Sequence, residues 1–125
     1  MKGLAGANDL RQIHRQKAVG DQSAALALDV YAYRIREYLG AYLVALGGAD
    51  AIVFTAGVGE NDEVIREMVC QDLEWLGVAL DADANAARGD GVRVISQQSS
   101  PIAVLVVPTN EELEIAQQTL DLLGL

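Results

Sequence analysis

Ile52-Val53-Phe54-Thr55-Ala56-Gly57-Val58-Gly59-Glu60-Asn61 is the stretch on which the reading of this chain turns. A short β-branched and aromatic run stops at two glycines, and an acidic, helix-opening turn follows directly. Strand, tight turn and helix in that order let a backbone approach a small ligand closely, because glycine has no side chain to hold the ligand off. A second unit of the same kind closes the chain: residues 102–107, then Pro108, then Thr109-Asn110-Glu111-Glu112-Leu113. Two such junctions predict an α/β protein with a nucleotide site.

Working outward, 125 residues suffice for one domain with a real core, spanning 1–125, and are too few for two comfortable ones. Half the residues are hydrophobic but only six are aromatic, so the core must come from Ala, Val, Leu and Ile. The net charge of −9, with nine scattered Lys and Arg, excludes a nucleic-acid partner, which needs clustered cations. Cys70 stands alone, so neither a disulfide nor a thiol pair for zinc is available. Its neighbours Glu67, Asp72 and Glu74 argue against a reactive thiol, and it reads as a small core residue. His14 has no partner at ligand spacing and reads as solvated. Nothing resembles a signal peptide or the ~20 apolar residues of a membrane span, so the expectation is a soluble cytoplasmic protein without a membrane partner.

The periodicity predicts a short helix over 10–18 and a long one over 23–46. Leu28, Tyr31, Ile35, Leu39, Tyr42 and Leu46 step by three and four residues along the long helix, and its end is apolar on most sides, so its C-terminal half should be deeply packed. Gly47-Gly48 ends it. Strand 51–55 is nearly continuous in apolar character, as befits a strand covered on both faces. A helix should run from 61 to 76 with Ile65, Val69, Leu73 and Leu76 buried. Residues 78–80 suit a short strand and 81–87 a small acidic helix or a turn. Arg88-Gly89-Asp90-Gly91 is a turn, followed by an alternating strand Val92, Arg93, Val94 with one wet face, then a loop over 96–100.

The first junction fails the dinucleotide test, because the third glycine of G-x-G-x-x-G would fall at Asp62. No P-loop lysine occurs either. Glu60, Asp62 and Glu63 crowd the expected start of the helix, where the dipole would otherwise attract phosphate. Two readings stand: the acids face a neutral, hydroxyl-bearing ligand part such as adenosine, or they merely cap the helix. At the second junction Thr109 and Glu112 match a capping box. Glu111 is left over, either as a surface acid favoured by the dipole or as a ligand for a hard cation. Leu113, Ala116, Leu120 and Leu123 form the stripe of a last helix.

Three phrases, residues 26–35 (Leu-Ala-Leu-Asp-Val-Tyr-Ala-Tyr-Arg-Ile), 52–61 and 106–113 (Val-Val-Pro-Thr-Asn-Glu-Glu-Leu), resemble the C-terminal third of acetate kinases, of the actin-like, sugar-kinase and Hsp70 superfamily. The resemblance runs from Gly3 to Leu122. It implies the C-terminal part of an actin-like (ribonuclease H-like) ATPase domain. It implies further that Gly57, Val58, Gly59, Glu60 and Asn61 lie against the adenosine of ATP, that Asp9, Leu10 and Arg11 also contact the nucleotide, and that Glu111 binds Mg²⁺. Asp62 departs from the family, which usually has a small residue there. No catalytic residue is assigned within this segment. The arginines, histidine and aspartate that bind acetate and stabilise the moving phosphoryl in the family have no counterpart here, so the segment alone should be inactive.

The reading is therefore the nucleotide- and Mg²⁺-binding part of an acetate kinase, ATP and acetate giving ADP and acetyl phosphate, with homodimers implied by the family. Propionate or butyrate kinase is the alternative within the class. A stand-alone, non-catalytic module that binds nucleotide or self-associates is the alternative outside it.

Overall fold

The apolar runs that lead into the two junctions form the parallel pair of the sheet. The computed structural model describes Gly3, Gly6 and residues 9–124, the Glu111 side chain excepted. The expected opening turn at residues 3–9 lies largely outside the described residues. Strand β1 (Ala51–Thr55) pairs in parallel with β3 (Ala103–Val107), from Ala51 opposite Ala103 to Thr55 opposite Val107. The two-residue β2 (Arg93–Val94) adds antiparallel to the other side of β3, giving the order β1-β3-β2. β3 is thus central, and Val104 and Val106 are buried.

Helix α1 (Leu10–Ala18) packs on α2 (Gln22–Leu46), whose N-cap Asp21 accepts from the amides of Ser23 and Ala24 and whose C-cap Gly47 takes the left-handed φ of 74°. Glycine tolerates that φ without a Cβ clash. After β1 come α3 (Ala56–Asn61) and α4 (Glu63–Cys70), a 3₁₀ turn (Glu74–Leu76), α5 (Ala82–Ala86) and finally α6 (Glu111–Leu123). One core cluster joins Ile13 to Ala24, Ala27, Leu28, Ile65 and Val69 between α1, α2 and α4. A second gathers Ile52, Cys70, Val78, Ile95 and Val104 around the sheet, and Leu39 and Phe54 touch both. Aliphatic and alanine side chains carry this interior, as composition requires. Cys70 is buried within it, and that burial pushes its thiol up to about 11.

Several expectations are corrected. The single helix over 61–76 is three pieces, because Asp62 restarts the helix as an N-cap, accepting from the Ile65 amide at 3.0 Å, and Asp72 turns the chain with φ 57°. The carbonyls left open at the end of α4 are taken by Arg36, whose Nη1 donates to Met68 O (3.4 Å), Val69 O (3.0 Å) and Gln71 O (2.5 Å). The strand over 78–80 is reduced to one bridge, Leu80 to Ser96. At β2 the faces are inverted: Val92 and Val94 are exposed, while Arg93 turns inward to donate to Ala87 O at 2.6 Å. The capping box is absent, since Asn110, not Thr109, caps α6 by accepting from the Leu113 amide at 3.0 Å. Tyr42, Val44 and Leu46 at the end of α2, and Leu113, Leu120 and Leu123 on α6, are exposed, and Val53 opens one face of β1. Hydrophobic spacing marks a face; whether a neighbour covers it is a matter of tertiary structure.

Ile65, 1% exposed in the α1–α2–α4 cluster, tests this core. Ile65→Ala is expected to cost about 2–5 kcal/mol by urea unfolding, the range for a truncated core isoleucine. A loss below about 1 kcal/mol would mean that the neighbours close around the missing atoms and that the packing is looser than described.

Candidate functional site

Parallel pairing puts both strand-to-helix junctions at the same sheet edge, the carboxyl ends of β1 and β3, where open α/β sheets place their ligands. Side chains lock the two together. Thr55 Oγ1 donates to Val107 O at 2.8 Å, and Thr109 Oγ1 donates to Glu60 Oε2 at 3.1 Å. The turn out of β1 is abrupt: Ala56 holds a left-handed φ of 58°, unusual for a residue with a Cβ and strained by about 1 kcal/mol or more.

This turn brings Gly57, Val58 and Asn61 to one wall of a cavity of about 760 Å³. Asp9, Leu10 and Arg11 form the facing wall, and Tyr31, Asp62 and Arg88 complete the lining. Six of the sequence-derived nucleotide residues are thus brought together from segments some fifty positions apart. Gly59 and Glu60 take other places. Gly59 lies against the Phe54 backbone, where a Cβ would come within 3.2 Å of the Phe54 carbonyl carbon. Glu60 borders a smaller adjoining cavity of about 210 Å³ and accepts from Thr109. Asn61 Nδ2 closes the loop on itself by donating to Gly57 O at 2.9 Å. Glu111 begins α6, and its side chain, expected to bind Mg²⁺, lies outside the described residues.

The electrostatics differ from the sequence expectation in one respect. The acids do not sit at the start of the helix that follows β1, because α3 has no acid in its first turn. Glu60 falls in the last turn of α3, and Asp62 and Glu63 cap and open α4. The pattern was right and its phase was wrong. At the facing wall, Asp9 caps α1 by accepting from the Arg11 amide at 2.9 Å and pairs with the Arg11 guanidinium at 3.2 Å. That hydrogen bonding holds the Asp9 carboxyl below its ordinary range.

Two residues passed over in the sequence belong to this region. His14, read as solvated, is half-buried, and its Nε2 lies 2.8 Å from Asp62 Oδ2, tying α1 to the cap of α4. No spacing rule links positions forty-eight apart. Arg66, 2% exposed, donates through Nη1 to Gly59 O and Glu60 O, both at 3.0 Å. A signal for Arg66 was available: it stands three and four residues before Val69 and Cys70, on the buried side of α4.

Comparison with known proteins agrees with this architecture. The acetokinase family matches residues 1–117, and the chain belongs to that family. The acetate kinase of Oleidesulfovibrio alaskensis is 52% identical over 123 residues, which cover 98% of this chain and 31% of the relative. That of Leifsonia xyli is 54% identical over 118 residues, 94% of this chain and 30% of the relative. Among solved structures, Porphyromonas gingivalis acetate kinase superposes with a TM-score of 0.88 at 44% identity, over 98% of this chain and 31% of that one. A propionate kinase from Francisella tularensis gives 0.82 at 34% identity, over 93% and 29%. The fold is accordingly the mixed α/β fold of part of an actin-like ATPase domain, and the chain spans about a third of the length of these relatives.

The two glycines now separate. Nothing lies within 4 Å of a Cβ added at Gly57, so Gly57→Ala should leave the thermal unfolding free energy within about 0.5 kcal/mol, as for an open surface site. Gly59→Ala should lose about 1–3 kcal/mol, because overpacking displaces the Phe54 backbone. Equal melting of the two variants would contradict the placement of the loop.

Proposed function

We propose that this chain is the nucleotide-binding part of an acetate kinase. In that reaction an acetate oxygen bonds to the γ-phosphorus of ATP as the bond from that phosphorus to the bridging oxygen of ADP breaks, giving acetyl phosphate. The single observation that carries the reading is the cavity that Asp9, Leu10 and Arg11 share with Gly57, Val58 and Asn61 at the carboxyl end of the parallel strands. Its size suits an adenosine moiety, since ligand pockets run to about 300–1,000 Å³. Gly57 offers open backbone on one side, Leu10 and Val58 supply apolar contact, and Asp9 and Asn61 supply acceptors and donors for hydroxyls. ATP as co-substrate places the work in the cytoplasm.

Phosphoryl transfer depends on positioning and charge neutralisation more than on covalent chemistry by the protein. Mg²⁺ supplies part of that neutralisation, and the residue assigned to hold it is Glu111. Among the described residues no group of three or more acidic, His or Cys side chains forms a cation cage. One protein carboxylate suffices for Mg²⁺, which keeps waters and phosphate oxygens as most of its ligands. The groups that hold acetate belong to the two thirds of the relatives that this chain does not match. The Francisella propionate kinase superposes over 93% of this chain, so the nucleotide half of the reading serves either carboxylate.

Titration of the chain with a fluorescent N-methylanthraniloyl ADP in Mg²⁺ should show saturable binding that unlabelled ADP displaces. Gly57→Val should weaken it at least tenfold with the fold intact, and Glu111→Ala should abolish its Mg²⁺ dependence. Acetyl phosphate trapped as hydroxamate should stay at background for the chain alone. Absence of binding by the wild-type chain would overturn the reading.

Self-association belongs to the same proposal. Tyr38, Tyr42, Val44 and Leu46 leave an apolar strip on α2, and β1 pairs on one side only among the described residues. An open edge and an apolar face each favour pairing with a second copy. Light scattering after size exclusion at tens of micromolar should give twice the chain mass or more; a clean monomer would refute this part.

A further inference from the structure

Arg66 is a buried cation without a carboxylate partner among the described residues. Four neutral oxygens hold it instead. Nε donates to Asn85 Oδ1 at 2.7 Å, Nη2 to Asn85 O at 2.9 Å, and Nη1 to Gly59 O and Glu60 O. Asn85 is itself 3% exposed, and its Nδ2 donates to Glu63 O at 2.9 Å. Removal from water lowers the Arg66 pKa, the neighbouring Arg93 lowers it further, and Glu63 and Asp62 oppose both. Arginine stays charged through such a shift.

The position of the four acceptors gives the arrangement its meaning. Gly59 and Glu60 belong to the short helix α3, whose Gly57, Val58 and Asn61 line the 760 Å³ cavity. Asn85 lies three residues before Arg88, which reaches the same cavity from another side. Between them Arg93 Nη1 holds Ala87 O at 2.6 Å and Ala84 O at 3.3 Å, fixing the backbone that leads into the Arg88 turn. A planar guanidinium with donors in a fixed fork can hold acceptors on two separate backbones at one spacing; an ammonium cannot. Buried charge is a costly way to obtain stability alone, since apolar replacements often serve as well.

We propose that Arg66 and Asn85 are positioning residues that hold the short helix α3 and the Arg88 turn at the separation a bound nucleotide requires. They touch no ligand themselves and act through those two backbones. The ligand half of this inference rests on the nucleotide reading; the brace itself does not.

The test compares wild type with Arg66→Lys, which keeps the charge and loses the fork. Amide hydrogen exchange and N-methylanthraniloyl ADP affinity are read at a temperature where circular dichroism shows both proteins folded. The expected result is at least tenfold faster exchange at Glu60 and Asp62, whose amides bond back along α3, unchanged protection at Val104 and Val106, and at least tenfold weaker nucleotide binding. Should Arg66→Lys not fold, Asn85→Ala removes one of the four acceptors and should accelerate the same α3 amides about threefold. Wild-type α3 exchange in a folded variant overturns the brace. Protection lost equally in α3 and sheet also overturns it, by showing a general structural prop. If the wild type binds no nucleotide, the functional reading falls, and α3 exchange alone then supports or overturns the brace.

Discussion

The in-register parallel pairing of β1 with β3 is the constraint from which the candidate site follows. Parallel strands present the same end to the same edge, so the residues after Thr55 and after Val107 must leave the sheet side by side. Each strand ends in a polar turn, and the two turns satisfy each other: the Thr55 hydroxyl uses the last carbonyl of β3, and the Thr109 hydroxyl uses Glu60. A one-residue slip in this pairing would turn Val104 and Val106 outward and separate both hydroxyls from their acceptors.

The remaining wall is delivered by helices rather than by the sheet. Ile13 and the small residues Ala24, Ala27 and Ala32 let α1 and α2 approach closely, and Ile65 and Val69 bind α4 to that pair. Once α1 is seated, Asp9 and Arg11 at its start cannot avoid the 57–61 loop, and the His14–Asp62 contact fixes the approach from the other end. The loop is thus held from three directions: by the Phe54 backbone under Gly59, by Asp62 through α1, and by Arg66 through its carbonyls. None of these holds crowds Gly57, where nothing lies within 4 Å of an added Cβ.

What could be read in the sequence, and what could not, divides along physical lines. Strand 51–55, the helices at 10–18 and 23–46, the small helix near 82–86 and the glycine stop at 47 were legible, because propensity, period and caps are local. The meeting of Asp9–Arg11 with Gly57–Asn61 came from family resemblance, since no spacing rule connects them. The break at Asp62 was missed because an aspartate after an asparagine reads equally as first turn or as N-cap, and only the φ of the chain decides. The cap at Asn110 was missed for a related reason: Thr109 satisfies the capping-box pattern one residue early, but its hydroxyl is already engaged with Glu60, so Asn110 takes the Leu113 amide. His14 and Arg66 were passed over because a polar or charged side chain in a helix is exposed by default, and only tertiary structure reveals the partner that makes burial tolerable.

Periodicity encodes the face that should be covered and carries no information about what covers it. The stripe along α2 is buried at Leu28 and half-buried at Ile35 and Leu39, then exposed at Tyr42 and Leu46, although its spacing does not change. The stripe of α6 is exposed along its whole length. Trp75, 80% exposed beside Leu76 and the end of α2, belongs to the same surface, since it lines with Leu39, Leu43 and Val44 an apolar hollow of about 460 Å³. Charge patterning agrees, for residues 38–49 contain no ionisable side chain apart from two tyrosines. A solvated helix end of that composition would ordinarily carry Lys, Arg or Glu. Sequence therefore specifies more interior than these residues can close by themselves, and the excess lies away from the 760 Å³ cavity, on the α2 end, α6 and the open face of β1.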